Sequence, residues 1–376
     1  MVLEVHGYEK PYTDYNKLKH IVSKSEYRNI VSLRLQNSFT IYLRTLNKHF
    51  YVNKIAVEDD LKLFNELYIK IKREMLQGNA LLLEALNSAQ IEGAKTTYAD
   101  TLKIVTGKAK IYNKSERMVK NMYDVLDLLD YLQCLTLNKS LLLEFWKRIT
   151  DGVRENSSVY KEGQYRNGVV YVVDGSDKIV HTGVEVDKLD CVMSEFIYLF
   201  NSCNDCDNVI MSFILHYLFV YIHPFCDGNG RLARFLNHQF LINGGLTKFG
   251  WFSLSSAINR TKGEYYKSLE LSNNEHGDIT FFVKYMLKAF NSLAIILIRG
   301  VKLGNIKLNM RQMRLIELLK KRNGVISINK YTKLNEISTS TAYKDFRELL
   351  QKGILIKEVA GKKATYRLNN ELLGRE

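Results

Sequence analysis

The sequence predicts a mainly α fold, in which a helical body carries one β-hairpin and a small C-terminal domain follows. Apolar residues recur at helical period along most of the chain. Only two prolines are present, Pro11 and Pro224, which suits a helical chain with few rigid turns. One short stretch changes to β-branched and aromatic residues on both sides of a turn. At about 150 residues per domain, the 376 residues predict two or three domains.

We expect an N-terminal helical region at 1–125, a core at 126–302 and a C-terminal domain at 303–376. The net charge of +14 favours polyanionic partners without proving one. The five cysteines are odd in number and irregularly spaced, which predicts reduced thiols in a cytoplasmic protein. Cys203 and Cys206 form one CxxC pair and lack the second pair of a typical zinc site. We find no leader sequence and no uncharged apolar run of about 18 residues, so no membrane segment is expected.

The N-terminal region divides into two parts. Residues 1–75 are expected to be helical packing material, with helical apolar period over 61–75. Residues 79–93 predict a buried helix that ends at Gly93. Ser88 and Glu92 lie four apart on this helix and share one face. A carboxylate at the end of a buried helix needs a cation, and the alternative is a solvated glutamate at a helix end.

Residues 94–155 continue the helical pattern, and a hairpin pattern follows. Residues 169–173 (VVYVV) and 179–181 (IVH) flank a turn at 174–177, which predicts two antiparallel strands. An isolated hairpin is unstable, so this one must pack or bind. A purely structural hairpin is the alternative. Residues 185–208 then predict a helix and a polar loop.

The most informative stretch is HPFCDGNGRLAR at residues 223–234, between apolar helices predicted at 209–222 and 232–242. Glycines let backbone N–H groups converge, and the positive end of the next helix points into the turn, which predicts an anion site. Arg231 and Arg234 share one face of that helix and suit phosphate. Asp227 beside phosphates suggests Mg²⁺, and His223 is a candidate base.

The same twelve residues allow a purely structural interpretation, a helix–turn–helix with an Asp N-cap and a core histidine. A P-loop is excluded because no glycine-rich loop ends in Gly-Lys-Ser/Thr. An EF-hand is excluded because Arg231 and Leu232 occupy ligand positions of the loop.

The stretch meets every fixed position of the signature of the Fic family, His-x-Phe-x-Asp/Glu-Gly-Asn-Gly-Arg-x-x-Arg, and so resembles it. The resemblance spans roughly residues 80–300. It implies a Fic-type helical bundle with a β-hairpin flap, and transfer of AMP from ATP to a Ser, Thr or Tyr hydroxyl of a protein. The implied roles are His223 as catalytic base, Asp227 as Mg²⁺ ligand, Gly228, Asn229 and Gly230 as anion hole, Arg231 on the β-phosphate and Arg234 on the γ-phosphate.

Two further segments resemble the same family. Ser88-x-x-x-Glu92-Gly93 resembles the inhibitory motif, which implies that Glu92 pairs with Arg234 and displaces the γ-phosphate. In some members the same glutamate supports AMP removal. Residues 163–166 (GQYR) resemble the lead-in to the flap, so hairpin 165–181 would dock the target as an added strand. Residues 181–183 (HTG) replace the Pro-rich step that often follows the flap.

Tyr265 and Tyr266, after Asn259-Arg260, resemble the family segment beside the nucleotide. Stacking of a tyrosine on adenine is one interpretation, and two core tyrosines on a helix are the other. An apolar helix over 278–299 follows, and Gly300 and Gly304 mark the expected boundary.

The C-terminal domain carries more than half of the net charge. Predicted helices at 310–321, 328–334 and 340–352, then strands at 354–359 and 365–368, resemble a winged helix-turn-helix. The third helix would enter a DNA major groove, and the residues offered are Ser340, Thr341, Tyr343, Lys344 and Arg347, with Lys362 and Lys363 on the wing. A protein-interaction or dimerisation domain is the equal alternative, and a homodimer is left open.

The best-supported function is Mg²⁺-dependent adenylylation of a target protein by ATP, autoinhibited by Glu92. The alternatives are removal of AMP, transfer from another nucleotide by the same residues, or a DNA-binding regulator whose Fic core senses nucleotide.

Overall fold

Helices form most of the computed structural model, which describes residues 12–72, 80–129, 131–132, 134–154, 164–173, 178–202, 206–302, 308–322, 324–360 and 363–369. Within these ranges the helices are α1 Tyr15–Ile21, α2 Lys24–Gln36, α3 Lys54–Lys70, α4 Ala80–Ile91, α5 Tyr98–Val105, α6 Lys114–Leu126, α7 Lys139–Thr150, α8 Leu189–Ser202, α9 Asn208–Ile222, α10 Asn229–Asn243, α11 Leu254–Arg260, α12 Lys262–Ser272, α13 Thr280–Lys302, α14 Met310–Arg322, α15 Ile328–Asn335 and α16 Thr339–Gln351. The strands are β1 Ser38–Leu43, β2 Lys48–Asn53, β3 Tyr171–Val173, β4 Ile179–Thr182, β5 Leu355–Ala360 and β6 Lys363–Leu368. The mainly α fold class is confirmed.

The chain divides into two units, one of residues 1–66 and 79–291 and the other of residues 67–78 and 292–376. The first unit joins most of the expected N-terminal region to the expected core. The three-part division made from the sequence stays a prediction.

Residues 38–53 form a β-hairpin, so the expectation of a wholly helical N-terminal region was wrong. Strands β1 and β2 pair antiparallel from Ser38↔Asn53 to Leu43↔Lys48. The reversal uses Asn47 in the left-handed region, at φ 48°, which asparagine adopts more readily than most residues. The Tyr51 N–H donates to the Gly277 carbonyl at 2.9 Å, so β2 also pairs with the loop before α13. Residues 38–53 form strands because both segments contain β-branched and aromatic residues, which favour an extended backbone.

The centre of the first unit is the pair of helices α9 and α10, which pack against each other. Nearly every side chain of both helices is buried, which explains why the sequence of α9 is a continuous apolar run. Helix α7 packs on α10 through Phe145 and Phe235, whose ring centroids lie 4.8 Å apart. This core fixes the turn between α9 and α10, where the functional residues lie.

Helix α13 contains a long apolar segment. Thr280–Ile298 is long and apolar enough to cross a membrane, yet 67% of its apolar window is buried inside the fold. This degree of burial is typical of the core helix of a globular domain.

The predicted hairpin at 169–181 is present as strands β3 and β4. They pair antiparallel through Tyr171↔Thr182 and Val172↔His181, with a register shift between Val172 and Val173. The predicted turn at 174–177, and Gly163 of the lead-in, lie outside the described residues.

The second unit contains α14, α15 and α16, followed by the antiparallel pair β5 and β6. Asp345 of α16 is 2% exposed and accepts hydrogen bonds from Asn309, Arg311 and Tyr331, at 2.7–3.1 Å. The order of helices and strands agrees with the sequence-based expectation. Assignment as a winged helix stays a prediction.

Candidate active site

The candidate site is the corner between α9 and α10. Helix α9 ends at Ile222 and is capped by His223, which lies in the left-handed region at φ 54° and donates its backbone N–H to the Phe219 carbonyl at 3.0 Å. Gly228 precedes α10 at φ +83°, and a Cβ there would lie 2.6 Å from Cγ2 of Thr150. Glycine is therefore required at 228 for both its backbone conformation and its space.

The side chain of His223 is arranged as a base. Its Nδ1 lies 3.2 Å from the Val220 carbonyl, which can only accept, so Nδ1 carries the proton and Nε2 is left as the basic nitrogen. Burial, with smaller contributions from nearby His181 and Arg166, lowers the pKa of His223 to about 4. The ring is therefore neutral at pH 7 and able to accept a proton.

Arg166 contacts the backbone of the candidate base, and the sequence analysis named it only as part of the flap lead-in. The side chain is 3% exposed. Its Nε donates to the His223 carbonyl at 2.8 Å, Nη1 donates to the Gly168 carbonyl at 2.8 Å, and Nη2 donates to the Val184 carbonyl. One guanidinium thus joins the backbone of the candidate base to both ends of the flap. The GQYR motif was the available signal for it.

Two other side chains, those of Trp146 and Asn229, fix the loop at 224–228. The ring of Trp146 stacks on Phe225 with centroids 4.5 Å apart, and its Nε1–H donates to the Asp227 carbonyl at 2.9 Å. The side chain of Asn229 donates to the Phe225 carbonyl at 2.7 Å and accepts from the Phe225 N–H at 3.1 Å. The Asn229 side chain therefore shapes the loop, and its backbone N–H is what it offers to an anion. Sequence reasoning did not find Trp146.

The start of α10 has the geometry of an anion site. The first intrahelical bond runs from Leu232 N–H to the Gly228 carbonyl at 3.0 Å, so helix geometry leaves the N–H groups of Asn229, Gly230 and Arg231 without intrahelical acceptors. The Asp227 Oδ1 accepts from the Gly228 N–H at 2.6 Å. Three converging donors at a helix N-terminus favour negative charge.

Arg231 and Asp227 pair with each other. Nη2 of Arg231, a side chain 1% exposed, lies 3.0 Å from each carboxylate oxygen of Asp227. Nη1 donates to the Ile149 carbonyl at 3.2 Å. Nε is buried without a hydrogen-bond partner among the described residues. The pair combines a guanidinium with a partly exposed carboxylate, which are the groups that bind phosphate oxygens and cations respectively.

Glu92 forms the ion pair that the inhibitory motif implied. Its Oε1 lies 2.8 Å from Nη2 of Arg234, and Ser88 accepts from the same guanidinium through Oγ and its carbonyl, each at 2.9 Å. A Cβ on Gly230 would lie 2.3 Å from Oε1 of Glu92. The carboxylate therefore occupies the space above the first turn of α10. Nη1 of Arg234 is buried there without a partner among the described residues.

The charge of Glu92 is stabilised at this position. Burial would raise the pKa of Glu92, but the Arg234 charge and hydrogen bond outweigh it and hold the pKa below its ordinary value. The side chain is 30% exposed. Gly93 follows at φ 91° and ends the helix, so the predicted end of the inhibitory helix agrees with the structure.

A cleft of about 620 Å³ brings several predicted residues together. It is lined by Glu92, His223, Gly230, Tyr265, Tyr266 and side chains of the β3–β4 flap. Tyr265 is 2% exposed and its hydroxyl lies 3.1 Å from His216 Nε2, whereas Tyr266 is 44% exposed and donates to the Ile91 carbonyl at 3.2 Å. Tyr266 presents the more accessible ring.

No group of three or more metal-binding side chains occurs among the described residues. Asp227 is the carboxylate at the candidate phosphate site, and its side chain is 36% exposed. Mg²⁺ on one protein carboxylate needs its other ligands from phosphate and water, which is its usual coordination at nucleotide sites. The donor set therefore fits Mg²⁺ only together with a nucleotide.

In the C-terminal unit, the residues proposed to contact DNA lie on the outer face of α16. Ser340, Tyr343, Lys344 and Arg347 are exposed and Thr341 is partly exposed. Lys362 lies outside the described residues, as does the side chain of Lys363.

Several known proteins are similar to this chain. Residues 136–241 match the Fic/DOC family. Protein adenylyltransferase fic-1 of Caenorhabditis elegans is 27% identical over 243 residues, which is 62% of this chain and 44% of that protein. Protein adenylyltransferase Fic of Drosophila grimshawi is 23% identical over 290 residues, which is 73% of this chain and 56% of that protein. The chain spans about half the length of the curated relatives it matches.

Solved structures share the fold. A Fic family protein from Desulfovibrio desulfuricans G20 superposes with a TM-score of 0.55 at 19% identity, over 85% of this chain and 96% of that chain. A fragment of Fic-1 from Caenorhabditis elegans gives a TM-score of 0.55 at 19% identity, over 77% of this chain and 81% of that chain. The signature at 223–234 lies inside the stretch 136–241 that matches the Fic/DOC family, and the solved Fic structures share the fold around it.

Proposed function

We propose that the chain is a protein adenylyltransferase, which transfers AMP from ATP to a hydroxyl side chain of a target protein and is inhibited by Glu92. The observation that carries the proposal is one contact. Glu92 is paired with Arg234 at 2.8 Å directly above Gly230, at the start of α10, in the same cleft as the base His223. The names of the curated relatives support the same activity.

In the proposed reaction, the hydroxyl oxygen of the target attacks the α-phosphorus of ATP. His223 Nε2 accepts the hydroxyl proton, the bond from the α-phosphorus to the bridging oxygen breaks, and pyrophosphate leaves. A positioned base of this kind contributes about 10²- to 10⁴-fold in rate. The product is a phosphodiester between AMP and the target side chain.

The start of α10 would stabilise the charge that develops on the phosphates. The N–H groups of Asn229, Gly230 and Arg231 lack intrahelical acceptors, and Nε of Arg231 is an unused buried donor among the residues that the structure describes. Donors held in place by the fold stabilise a developing charge without reorganising. Mg²⁺, when bound, would neutralise phosphate charge, and Asp227 is the residue that would hold it.

The inhibitory role of Glu92 follows from competition for one guanidinium. Arg234 cannot offer Nη2 to a γ-phosphate while that group is bonded to Glu92 and the Ser88 carbonyl. The carboxylate also fills space above Gly230 that a phosphate oxygen would need. ATP would therefore bind either weakly or in a position unsuited to attack.

The flap would dock the target as an extended segment. Val169, Tyr171, Val173 and Ile179 expose 50–55% of their surface along the hairpin. Short exposed strands offer backbone groups for pairing with an added strand. Exposed apolar side chains on the same strands favour a target segment with β-branched or aromatic residues near its hydroxyl.

The proposal is tested by intact mass of the protein and of added target lysate after incubation with ATP and Mg²⁺. We expect Glu92→Gly to gain AMP, the wild type to gain little, and His223→Ala to gain none. Glu275→Gly is the matched control, because Glu275 is 65% exposed, pairs with Lys19 and does not line the cleft. An inactive Glu92→Gly protein that is still folded would contradict the proposal. Loss of AMP from a labelled target would favour the removal reaction instead.

A second candidate function belongs to the C-terminal unit. We propose DNA binding through α16, supported by the exposed Tyr343, Lys344 and Arg347 on one face of that helix. Phosphate contacts by basic side chains make binding fall steeply with salt. A gel shift that is lost at high salt and in Lys344→Ala/Arg347→Ala is expected. A domain that binds no duplex at low salt, or that forms dimers through this face, would contradict it.

We also propose a cytoplasmic location. Cys134, Cys191 and Cys226 carry free thiols in the part of the chain that the structure describes, as suits a reducing compartment. Cys203 lies outside those residues, so the CxxC interpretation stays a prediction.

A further inference from the structure

The inhibitory helix α4 contacts α10 at more than the Glu92 position. Glu84, Ser88 and Glu92 follow at intervals of four on α4, and Gly230, Arg234 and His238 follow at intervals of four on α10. Residues four apart lie on one helix face. Glu92 and Ser88 contact Arg234, and Oε1 of Glu84 lies 3.2 Å from Nε2 of His238. The two faces are therefore matched over two turns.

Glu84 is a buried carboxylate with no part in the proposed chemistry. It is 1% exposed and accepts from Ser253 Oγ at 3.0 Å, from Ser255 N–H at 2.8 Å and from Ser255 Oγ. Burial would raise the pKa of Glu84, but the His238 charge and the serine hydrogen bonds outweigh it and lower the pKa. An ionised carboxylate is costly to bury unless donors surround it in this way.

The partners of Glu84 come from two different parts of the chain. His238 belongs to α10, which also carries Arg234, and Ser253 and Ser255 lie at the start of α11. The His238 ring is itself placed by Nδ1, 3.0 Å from the Phe249 carbonyl. Because that carbonyl accepts from Nδ1, the ring is held with Nε2 facing Glu84. Glu84 thus holds the N-terminal half of α4 against two elements of the body of the domain.

We infer that Glu84 is a positioning residue for autoinhibition: it fixes the register of α4 along α10 and so holds Glu92 over Gly230. Glu92 follows Glu84 by two helical turns, about 12 Å at 1.5 Å per residue. A helix of this length transmits an axial shift at one end to the other. A shift of about 1 Å exceeds the tolerance of a hydrogen bond, so register at Glu84 controls the Glu92–Arg234 contact. This inference rests on the proposed function.

A second residue of α4, Asn87, also bonds to the body of the domain and serves as the matched control for Glu84. Asn87 donates to Ser256 Oγ at 2.9 Å and accepts from Asn259 Nδ2 at 3.0 Å. These bonds are neutral and join α4 to α11 alone. Asn87 is also less buried than Glu84. Loss of Asn87 therefore loosens α4 without removing its charged contact with α10.

The test substitutes Glu84→Gln, which keeps the volume but places an amide donor among groups that donate. AMP transfer is measured for Glu84→Gln, Glu92→Gly and the double variant, with Asn87→Ala as the matched control. We expect Glu84→Gln to raise transfer about tenfold over wild type, equivalent to about 1.4 kcal/mol. The double variant should match Glu92→Gly within about twofold, because no inhibition remains for Glu84 to support. Asn87→Ala should raise transfer less than Glu84→Gln.

Two results would overturn the inference while leaving the proposed function in place. One is a Glu84→Gln protein that stays as inactive as wild type while Glu92→Gly is active. The other is equal loss of activity from Glu84→Gln in both backgrounds, which indicates general damage.

Hydrogen–deuterium exchange of residues 80–92 covers the case in which Glu92→Gly is itself inactive and the proposed function fails. Positioning by Glu84 predicts faster exchange throughout α4 in Glu84→Gln, beyond that in Asn87→Ala. Unchanged exchange in α4 would overturn the inference independently of any activity.

Discussion

Glu92→Gln should strengthen ATP binding, and the structure sets the size of the effect. The substitution removes the charge that pairs with Arg234, so the neutral and partly exposed side chain is released from the space above Gly230. Arg234 is 2% exposed and keeps its two bonds to Ser88, so the guanidinium stays in place and becomes available. Hydrogen bonds to charged groups contribute about 1.5–3 kcal/mol. Because Glu92 is 30% exposed, solvent screens the pair, and we expect the lower end, about tenfold in Kd.

The assay is calorimetric titration of ATP with Mg²⁺ into wild type, Glu92→Gln and the surface control Glu275→Gln. AMP is titrated in parallel, because it has no γ-phosphate to compete with Glu92. We expect the tenfold gain for ATP, no gain for AMP, and no change in the control. Equal affinities of wild type and Glu92→Gln for ATP would refute the competition, and so would an equal gain for AMP.

Four further outcomes follow from the contacts. Because burial lowers the pKa of His223 to about 4, kcat/KM of Glu92→Gly should fall as pH drops through about 4, and an acid limb near the ordinary value of about 6.5 would contradict this. The same lowered pKa means that the contribution of His223 to stability is complete above about pH 6.5 and declines as pH falls toward 4, which thermal melts at several pH values would show. Arg166→Met should cost about 2 kcal/mol or more in urea unfolding, because three backbone carbonyls lose their donor. Trp146→Phe keeps an aromatic ring against Phe225 but loses the hydrogen bond to the Asp227 carbonyl. We expect kcat to fall about tenfold and the free energy of unfolding to fall by only about 1 kcal/mol.

The corner at residues 223–234 could be predicted because its chemistry is local. Glycines, a helix start and arginines at fixed spacing define an anion site from sequence alone. The helix ends agree with the structure within a few residues, as at Gly93 and Ile222. The Glu92–Arg234 contact joins residues far apart in sequence, and only the family resemblance supplied it.

The contacts of three residues could not be predicted, because most of their partners are distant in the chain. Arg166 is recognisable as part of a flap motif, yet its importance lies in carbonyls of residues 168, 184 and 223. Trp146 has the pattern of a core residue in an amphipathic helix, and its indole N–H bonds to residue 227. Glu84 is visible in the sequence only as a polar interruption of an apolar helix. Its partners come from two later elements of the chain. Local pattern carries no information on such pairings.

The N-terminal hairpin was missed for a different reason. Residues 38–53 contain the alternation SFTIYL and KHFYVN, which is a local strand signal. Its turn uses Asn47 without a following glycine, so the usual Asn-Gly hairpin pattern is absent. The strands are stabilised by pairing with the loop at residues 277–279, which no local pattern predicts.

The most direct test of the central claim follows the position of the label in ATP. Glu92→Gly is incubated with target lysate, Mg²⁺ and ATP labelled on either the α- or the γ-phosphate, beside His223→Ala. AMP transfer predicts that protein retains the α-label and not the γ-label, and that His223→Ala retains neither. Retention of the γ-label would indicate phosphorylation, and retention of neither by a folded Glu92→Gly protein would contradict nucleotide transfer at this site.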